Sequence, residues 1–373
     1  MEKFTSWLQK NKINMDSLQI REIEHNERNV VAIKPIDRSD TVMLIPKNLL
    51  IMSSVVEKTA NGKKILSLFL NETELTKSII NISVFILFSM ENYAGYNTFW
   101  DSYFDILPKD LSHIPLFWKK NELNYLKGSQ LLIDIRDRLK KIRSEYNKLK
   151  KNIKDFDMFS FYEYKRIRSL VSSRNFRLTI NGIQSTTMVP LADMLNHSNN
   201  ALTRWGYSDE KNGYEMKALE NIESGTEITD SYGKKDNHKY FLYYGFVLEN
   251  GFVKLHIKTR KFDGFIDDKM NSISMENLLN YLRRIFLDKE QKFRYGFLSV
   301  YNEKKVFLEL RKIFKRMKKK YIHSNSYYEK YKNKGSLNKR NAYILILQEL
   351  KIINSLIDKV NIILEYLRGD KPL

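Results

Sequence analysis

Residues 189–198 read VPLADMLNHS, and residues 226–233 read TEITDSYG. The first segment is an apolar run that is interrupted by Asp193 and ends on Asn-His-Ser, which is typical of a turn whose side chains bond to their own backbone. The second segment alternates polar and apolar residues, which predicts a half-buried strand, and its glycine allows close backbone approach. Together they predict a ligand pocket with Tyr232 at a strand end. Core packing and an ordinary turn are the competing explanations.

The order and spacing of these motifs resemble the SET-domain methyltransferases, and within them the branch of the Rubisco large-subunit methyltransferase. That branch has a Pro-Leu-x-Asp-x-x-Asn-His-Ser segment, then a glycine turn, then Tyr-Gly-x-x-x-Asn. The matching residues here are Pro190, Leu191, Asp193, Asn196, His197, Ser198, Gly225, Tyr232, Gly233 and Asn237. The resemblance implies an α+β fold, in which a β-rich SET domain is split by a helical insert and followed by an all-α C-terminal domain.

The patterning of the rest of the chain agrees with this division. Short β-like segments end at Pro46, and apolar residues then recur at helical spacing over about residues 55–171. Aromatic residues of that insert, such as Tyr103, are interpreted as packing residues. We therefore predict a SET domain over residues 1–254, and a helical, basic domain over residues 255–373 to which the resemblance assigns substrate binding.

Composition limits the possible partners and compartments. The 373 residues include no cysteine, which excludes disulfides and thiolate zinc sites. The longest apolar run, residues 79–90, is too short to span a membrane, and the N-terminus lacks the pattern of a secretory signal. We therefore expect a cytoplasmic or nuclear monomer that has no membrane partner.

Positive charge is concentrated in the last third of the chain. The net charge is +20, and residues 251–373 contain 28 Lys and Arg against 13 Asp and Glu. Such a region attracts an acidic or ribosome-associated protein, or nucleic acid. A solvated helix face explains the same pattern.

The resemblance implies S-adenosyl-L-methionine as the cofactor and assigns roles to five residues. Arg174 suits the cofactor carboxylate because a guanidinium presents a fork of donors. Asn196 and His197 are implied to hold the amino-acid and adenine portions, and Asp193 is implied to support their turn. Tyr232 is implied to contact the cofactor and to be the catalytic tyrosine. No residue in this set needs a metal.

The chain departs from the family pattern at one turn. Relatives usually have a glycine-rich turn near the methionine part of the cofactor, whereas this chain has Asn26-Glu27-Arg28-Asn29. Asn tolerates the left-handed conformation better than other residues that have a side chain. We therefore include Asn26 and Arg28 in the predicted cofactor site.

Phe176, Ala192, Tyr207 and Tyr244 are implied to line a channel for the acceptor amine. Lysine-methylating relatives tend to have Phe two residues after the motif arginine and Ala just before the aspartate, whereas the histidine-methylating branch has Asn and Trp. A small Ala leaves room for a long aliphatic amine, and Phe gives it an apolar wall, while an imidazole benefits from a polar Asn. Phe176 and Ala192 therefore favour lysine.

The leading hypothesis is an S-adenosyl-L-methionine-dependent protein-lysine N-methyltransferase that acts on a non-histone protein. One alternative is a protein-histidine methyltransferase of the same fold. Another is a catalytically silent SET scaffold that binds an acidic protein or a ribonucleoprotein. The replaced glycine turn motivates the scaffold, whereas the intact Arg174 and Tyr232 argue against it.

Overall fold

The computed structural model describes residues 1–23, 28–96, 98–287 and 292–369. The chain forms two compact units. The first comprises residues 1–111 and 140–235, and the second comprises residues 112–139 and the chain from Asp236 onward. These units divide the chain differently from the domain boundaries predicted above, which stay predictions.

Antiparallel strands form the framework of the first unit. The strands are β1 (Leu18–Glu22), β2 (Arg28–Ala32), β3 (Thr41–Pro46), β4 (Ile51–Met52), β5 (Asn175–Ile180), β6 (Ile183–Met188), β7 (Asn196–His197), β8 (Thr203–Ser208), β9 (Gly213–Ala218) and β10 (Thr229–Asp230). Sheets of order β1-β2, β3-β9-β8 and β4-β6-β5 are antiparallel, whereas β7 and β10 pair in parallel. Because β3 pairs with β9 and β4 with β6, strands from before and after the helical insert share sheets.

Helices fill the interval between β4 and β5, as predicted for an insert. They are preceded by α1 (Glu2–Lys10) and comprise α2 (Ser53–Val56), α3 (Ala60–Leu68), α4 (Glu74–Met90), α5 (Asp101–Phe104), α6 (Lys120–Leu123), α7 (Leu131–Asn152) and α8 (Phe161–Arg174). Thr73 caps α4 by accepting from the N–H of Thr76. The apolar run predicted to be a buried helix lies in α4, where Ile80 and Phe88 are fully buried. Within the described ranges, no helix has both the length and the hydrophobicity that crossing a membrane requires.

Helices dominate the second unit, which confirms the α+β class. α9 (Asn237–Tyr244) is followed by a hairpin of β11 (Leu255–Lys258) and β12 (Asp263–Ile266), and then by α10 (Ile273–Ile285), α11 (Val300–Lys318), α12 (Asn325–Tyr331) and α13 (Leu337–Tyr366). Met275, Leu310 and Ile353 represent the core that α10, α11 and α13 share. The hairpin lies in the region that we predict to be all-helical. Its four-residue strands are too short for periodicity to identify them.

Candidate functional site

Strands β7 and β10 bring the two sequence motifs together. Asn196 lies opposite Thr229 and His197 lies opposite Asp230. The N–H of Ser198 donates to the carbonyl of Asp230 at 2.9 Å. The Asn-His-Ser turn therefore lies beside the segment that leads into the predicted catalytic tyrosine.

Tyr232 is held by contacts with this same turn. Its backbone N–H donates to Nδ1 of His197 at 3.1 Å, and the two rings stack with centroids 5.2 Å apart. Its hydroxyl donates to the carbonyl of Leu195 at 2.7 Å. Burial lowers the pKa of His197, so the neutral imidazole that accepts from Tyr232 is favoured at neutral pH. Both the ring and the hydroxyl of Tyr232 thus have fixed directions.

Asp193 is a buried carboxylate that forms an ion pair with Arg174. Its side chain is 1% exposed, and Nη1 of Arg174 lies 3.4 Å from Oδ2 and 2.5 Å from the Asp193 carbonyl. The Tyr103 hydroxyl donates to Oδ2 at 2.8 Å. Burial raises the pKa of the Asp193 carboxyl, and the Arg174 charge and the Tyr103 hydrogen bond oppose that rise. Arg174 therefore ends α8 with its guanidinium fixed at the turn.

Leu191 provides independent backbone evidence for a functional turn. It has a φ of 76° and a ψ of −51°, which is rare for a bulky side chain. Its side chain is fully buried, and a short helical turn over Ala192–Met194 follows directly. Strain of this kind costs about 1–3 kcal/mol and is concentrated at functional sites. The conformation therefore marks the same segment as the sequence motif.

Arg28 adds a second guanidinium near Arg174. It begins β2, which packs against Ala192–Met194. Burial lowers the pKa of Arg28, the Glu22 carboxylate opposes this shift, and the positive charge of Arg174 adds to it. Asn26, the other predicted residue of the replaced glycine turn, lies outside the described residues.

Two buried acceptor atoms make this region suitable for a cationic group. Among the described residues, Oδ1 of Asp193 and Oδ1 of Asn29 accept no hydrogen bond. An unpaired buried acceptor is unfavourable by itself, but it is the partner that an ammonium group requires. The guanidinium groups of Arg28 and Arg174 suit a carboxylate. These residues therefore fit the α-amino acid end of S-adenosyl-L-methionine.

Asn196 connects the motif turn to its neighbours. Its Nδ2 donates to Oε1 of Glu227 at 2.8 Å and to the carbonyl of Arg28 at 3.2 Å. The first unit thus brings most of the predicted cofactor residues into one region, namely Arg28, Arg174, Asp193, Asn196, His197 and Tyr232.

Phe176 belongs to a cluster of three rings, here called the aromatic wall, which consists of Phe176, Trp205 and Tyr214. Phe176 packs edge-on against Trp205 at 5.1 Å and against Tyr214 at 5.3 Å. Trp205 and Tyr214 stack at 5.9 Å. Ala192, the other residue that favours lysine, is buried just before Asp193.

Tyr207 and Tyr244 have local partners of their own. The Tyr207 hydroxyl donates to Oδ1 of Asn212 in the hairpin of β8 and β9 at 2.7 Å. Tyr244 lies on α9 in the second unit, where burial, with the nearby phenols of Tyr240 and Tyr243, raises its pKa to about 12. Their predicted roles in the acceptor channel stay predictions.

Tyr103, Trp205 and Asp230 are residues of this region that the sequence reasoning missed. Tyr103 packs in the insert, but it also bonds to Asp193, 90 residues away. For Asp230 a signal was present, because the alternation of residues 226–230 places it on the same face as Ile228. Both side chains are buried, and an acid on the buried face of a strand is unusual.

Strands from both sides of a helical insert, and a motif turn paired beside a fixed tyrosine, define the class of the protein. A model of the family described as SET domain matches residues 27–233. The chain belongs to the SET-domain family.

Curated proteins with similar sequences include actin-histidine N-methyltransferases. The actin-histidine N-methyltransferase of Xenopus tropicalis is 26% identical over 69% of this chain and 45% of that protein. The human actin-histidine N-methyltransferase is 24% identical over 69% of this chain and 44% of that protein. The chain thus spans less than half the length of these relatives.

Solved structures share the fold across nearly the whole chain. The SET domain of LSMT bound to lysine and AdoHcy has a TM-score of 0.79 at 20% identity, covering 96% of this chain and 90% of that one. Rubisco LSMT bound to AdoMet has a TM-score of 0.79 at 21% identity, covering 98% and 92%. This likeness confirms the predicted fold, a SET domain with a C-terminal helical region.

Proposed function

We propose that the chain is an S-adenosyl-L-methionine-dependent protein methyltransferase whose acceptor is a lysine side chain of a non-histone protein. The observation that carries the proposal is the pairing of β7 with β10. It places Tyr232 against His197 and Leu195, next to the pair of Arg174 and Asp193.

In this proposal the two guanidinium groups hold one end of the cofactor. Arg28 and Arg174 bind its carboxylate, and the unpaired oxygens of Asp193 and Asn29 accept from its ammonium group. Asn196 and His197 keep the turn in register with Tyr232. The bound cofactor supplies an electrophilic methyl group on a sulfonium sulfur.

The acceptor side must deliver a neutral amine, because only a free lone pair attacks the methyl group. A lysine in water has a pKa of about 10.4. Burial against an aromatic wall disfavours its charged form, and a nearby positive charge acts in the same direction. The Tyr232 hydroxyl, fixed by its bond to Leu195, orients the amine. Orientation in a closed site therefore supplies most of the rate.

Histidine is the second candidate acceptor. The names of the curated relatives favour it. Lysine is favoured by Phe176 and Ala192, since Phe176 packs against Trp205 and Tyr214 and presents no polar atom to an imidazole. Tritium-labelled cofactor should therefore transfer its methyl group to proteins of a cell extract, and chromatography after acid hydrolysis should find label in methyllysine. The assay is repeated with purified actin as the acceptor protein. Label in methylhistidine would support the histidine alternative.

Tyr232→Phe tests the role of the hydroxyl in the same assay. The variant removes only the oxygen that bonds to Leu195, and we expect it to abolish transfer. Tyr93→Phe is a matched control, because Tyr93 in the same unit also donates its hydroxyl to one acceptor, Asp155. Persistent transfer by Tyr232→Phe would refute the assigned role.

The silent-scaffold alternative is tested by calorimetry with S-adenosyl-L-methionine and with S-adenosylhomocysteine. Our proposal requires saturable binding that is weakened by Arg174→Gln. If the wild-type protein binds neither compound, the proposed activity is wrong and the scaffold alternative stands.

A further inference from the structure

Asp230 is a buried acid that contacts the aromatic wall. It is 4% exposed, and its Oδ2 accepts from Nε1 of Trp205 at 3.0 Å. Its Oδ1 accepts from the N–H of Ser231 at 2.6 Å. Trp205 packs on both Phe176 and Tyr214. The carboxylate thus determines where the indole points.

Among the residues that the structure describes, the hydrogen-bond partners of Asp230 do not compensate its charge. Burial raises its pKa to about 6, and its two donors, Ser231 and Trp205, only partly oppose that rise. Both of these partners are neutral. A buried ionised carboxylate with neutral partners destabilises a fold, and groups of this kind are concentrated at functional sites. Asp230 is therefore a candidate functional residue.

Asp230 also occupies the link between the two halves of the site. It lies on β10 opposite His197, and its carbonyl accepts from Ser198. Tyr232 follows two residues later. One residue therefore joins the cofactor turn through its backbone to the aromatic wall through its side chain.

We propose that Asp230 is a positioning residue for the acceptor channel, which holds the indole of Trp205 and thereby sets the distance between the aromatic wall and Tyr232. The inference rests on the proposed function and adds a determinant of acceptor geometry to it. Trp205 is the ring against which the acceptor side chain lies.

The hydrogen bond between Asp230 and the Trp205 indole should depend on pH, and this dependence can be measured. Within the described part of the chain, the titratable groups facing Asp230 are the Tyr214 phenol on β9 and the His197 imidazole on β7. Below about pH 6 the carboxyl is protonated, and its bond to the indole N–H weakens because a neutral acceptor is weaker than a charged one. The indole should therefore be held most firmly above that pH.

The first test observes the indole N–H groups by ¹H–¹⁵N NMR of the full chain. The protein has four tryptophans, and Trp205→Phe assigns the Trp205 resonance. We expect that resonance to titrate with a midpoint at about pH 6 in the wild-type protein and to lose this titration in Asp230→Asn. A Trp205 resonance that titrates in the same way in the wild-type protein and in Asp230→Asn, or in neither, would overturn the inference.

The second test measures labelled methyl transfer to extract proteins. Asp230→Ala and Trp205→Phe should each lower the rate about tenfold or more, while the Kd for S-adenosylhomocysteine changes less than about twofold. The double variant should be no slower than the slower single variant, because both changes break one link. Asp230→Asn serves as the second variant if Asp230→Ala does not fold, because Asn keeps one acceptor oxygen. Its transfer rate should lack the change near pH 6 that the wild-type carboxyl causes. Trp100→Phe is the control, since it also removes a buried indole bond, to the Leu49 carbonyl at 2.9 Å.

The results separate this inference from the proposed function. A wild-type rate of methyl transfer in Asp230→Ala would overturn the positioning role. So would a double variant whose fold-loss in rate equals the product of the two single losses. If the wild-type protein binds S-adenosylhomocysteine but transfers no methyl group, the proposed function fails. The inference is then decided by adding lysine to that complex: a shift of the Trp205 resonance that Asp230→Asn abolishes supports it, and an unchanged resonance refutes it.

Discussion

Two buried carboxylates of the first unit are stabilised in different ways. Asp193 has a guanidinium partner, Arg174, whereas Asp230 is bonded to neutral N–H groups. Removing the partner of Asp193 leaves a charge uncompensated, which is strongly unfavourable. Removing the charge of Asp230 relieves an existing penalty. Loss of the Arg174 guanidinium and loss of the Asp230 charge should therefore change stability in opposite directions.

Arg174→Lys should weaken binding of S-adenosyl-L-methionine about tenfold or more. Lysine keeps the positive charge but lacks the planar fork that directs separate N–H groups at the Asp193 carbonyl and at a carboxylate, and a charge-assisted hydrogen bond contributes about 1.5–3 kcal/mol. Calorimetry measures the change. Arg177→Lys, three residues on, is the control, because the exposed Arg177 bonds to the neutral side chain of Gln184. Equal losses in both variants would contradict a specific role for Arg174.

Asp230→Asn should stabilise the protein at about pH 8 but not at about pH 4. Because the pKa is raised from 3.8 to about 6 in the folded state, the stabilising contribution of the protonated carboxyl is present below pH 3.8 and is lost as the pH rises through 6. Asn carries no charge and avoids this loss, but its amide can replace only one of the two oxygens that accept from Ser231 and Trp205, which offsets part of the gain. The shift of about two pH units predicts a gain of about 2–3 kcal/mol at high pH. Urea unfolding at both pH values measures the gain, and a pH-independent difference would refute this explanation.

At the scale of elements, the helical insert and the fold class followed from sequence, but the strand pairing that assembles the site did not. Residues 79–90 are apolar enough to predict a buried helix without any partner. The alternation of residues 226–230 predicted the strand that contains β10, but β7 has only two residues, which is too short for a periodic signal, and periodicity does not identify the partner of a strand. The contacts of Tyr103 with Asp193 and of Trp205 with Asp230 are long-range. Local patterns therefore identified the motif residues but not these partners.

α4 contains a polar group that its packing does not explain. Asn81 is fully buried, and neither polar atom of its amide has a partner in the part of the chain that the structure describes. Asn81→Leu should therefore raise the free energy of unfolding by about 1–3 kcal/mol, because a buried unpaired amide is replaced by an apolar group of similar size.

Asn302→Leu is the matched control for this prediction. Asn302 is also fully buried, but its Nδ2 donates to the carbonyls of Arg283 and Phe286. The same substitution should destabilise there, since it leaves those carbonyls without their donor. Urea unfolding measures both variants. A loss of stability in Asn81→Leu would show that its amide has a partner within α4 or its neighbours.

At the scale of the whole molecule, the charge is distributed unevenly, and α11 is its densest part. Residues 311–320 read RKIFKRMKKK. The apolar members of this run, such as Phe314, face the core, while Lys315 and the lysines of residues 318–320 are exposed. An amphipathic helix of this kind satisfies the solvated-face explanation. An exposed basic face also attracts an acidic partner, so the two explanations require an experiment.

Reversing three of these charges tests whether the face recruits the substrate. The variant Lys315→Glu, Lys318→Glu and Lys319→Glu should lower methyl transfer to dilute extract proteins about tenfold at about 50 mM salt, and by much less at about 500 mM, where charges are screened. The Kd for S-adenosylhomocysteine should not change. Lys140→Glu, Lys150→Glu and Lys151→Glu on α7 form the control, because they change net charge equally at exposed positions. Equal losses in both triple variants would mean that net charge acts and that α11 has no special role. If neither variant slows transfer, the lysines of α11 only solvate the helix.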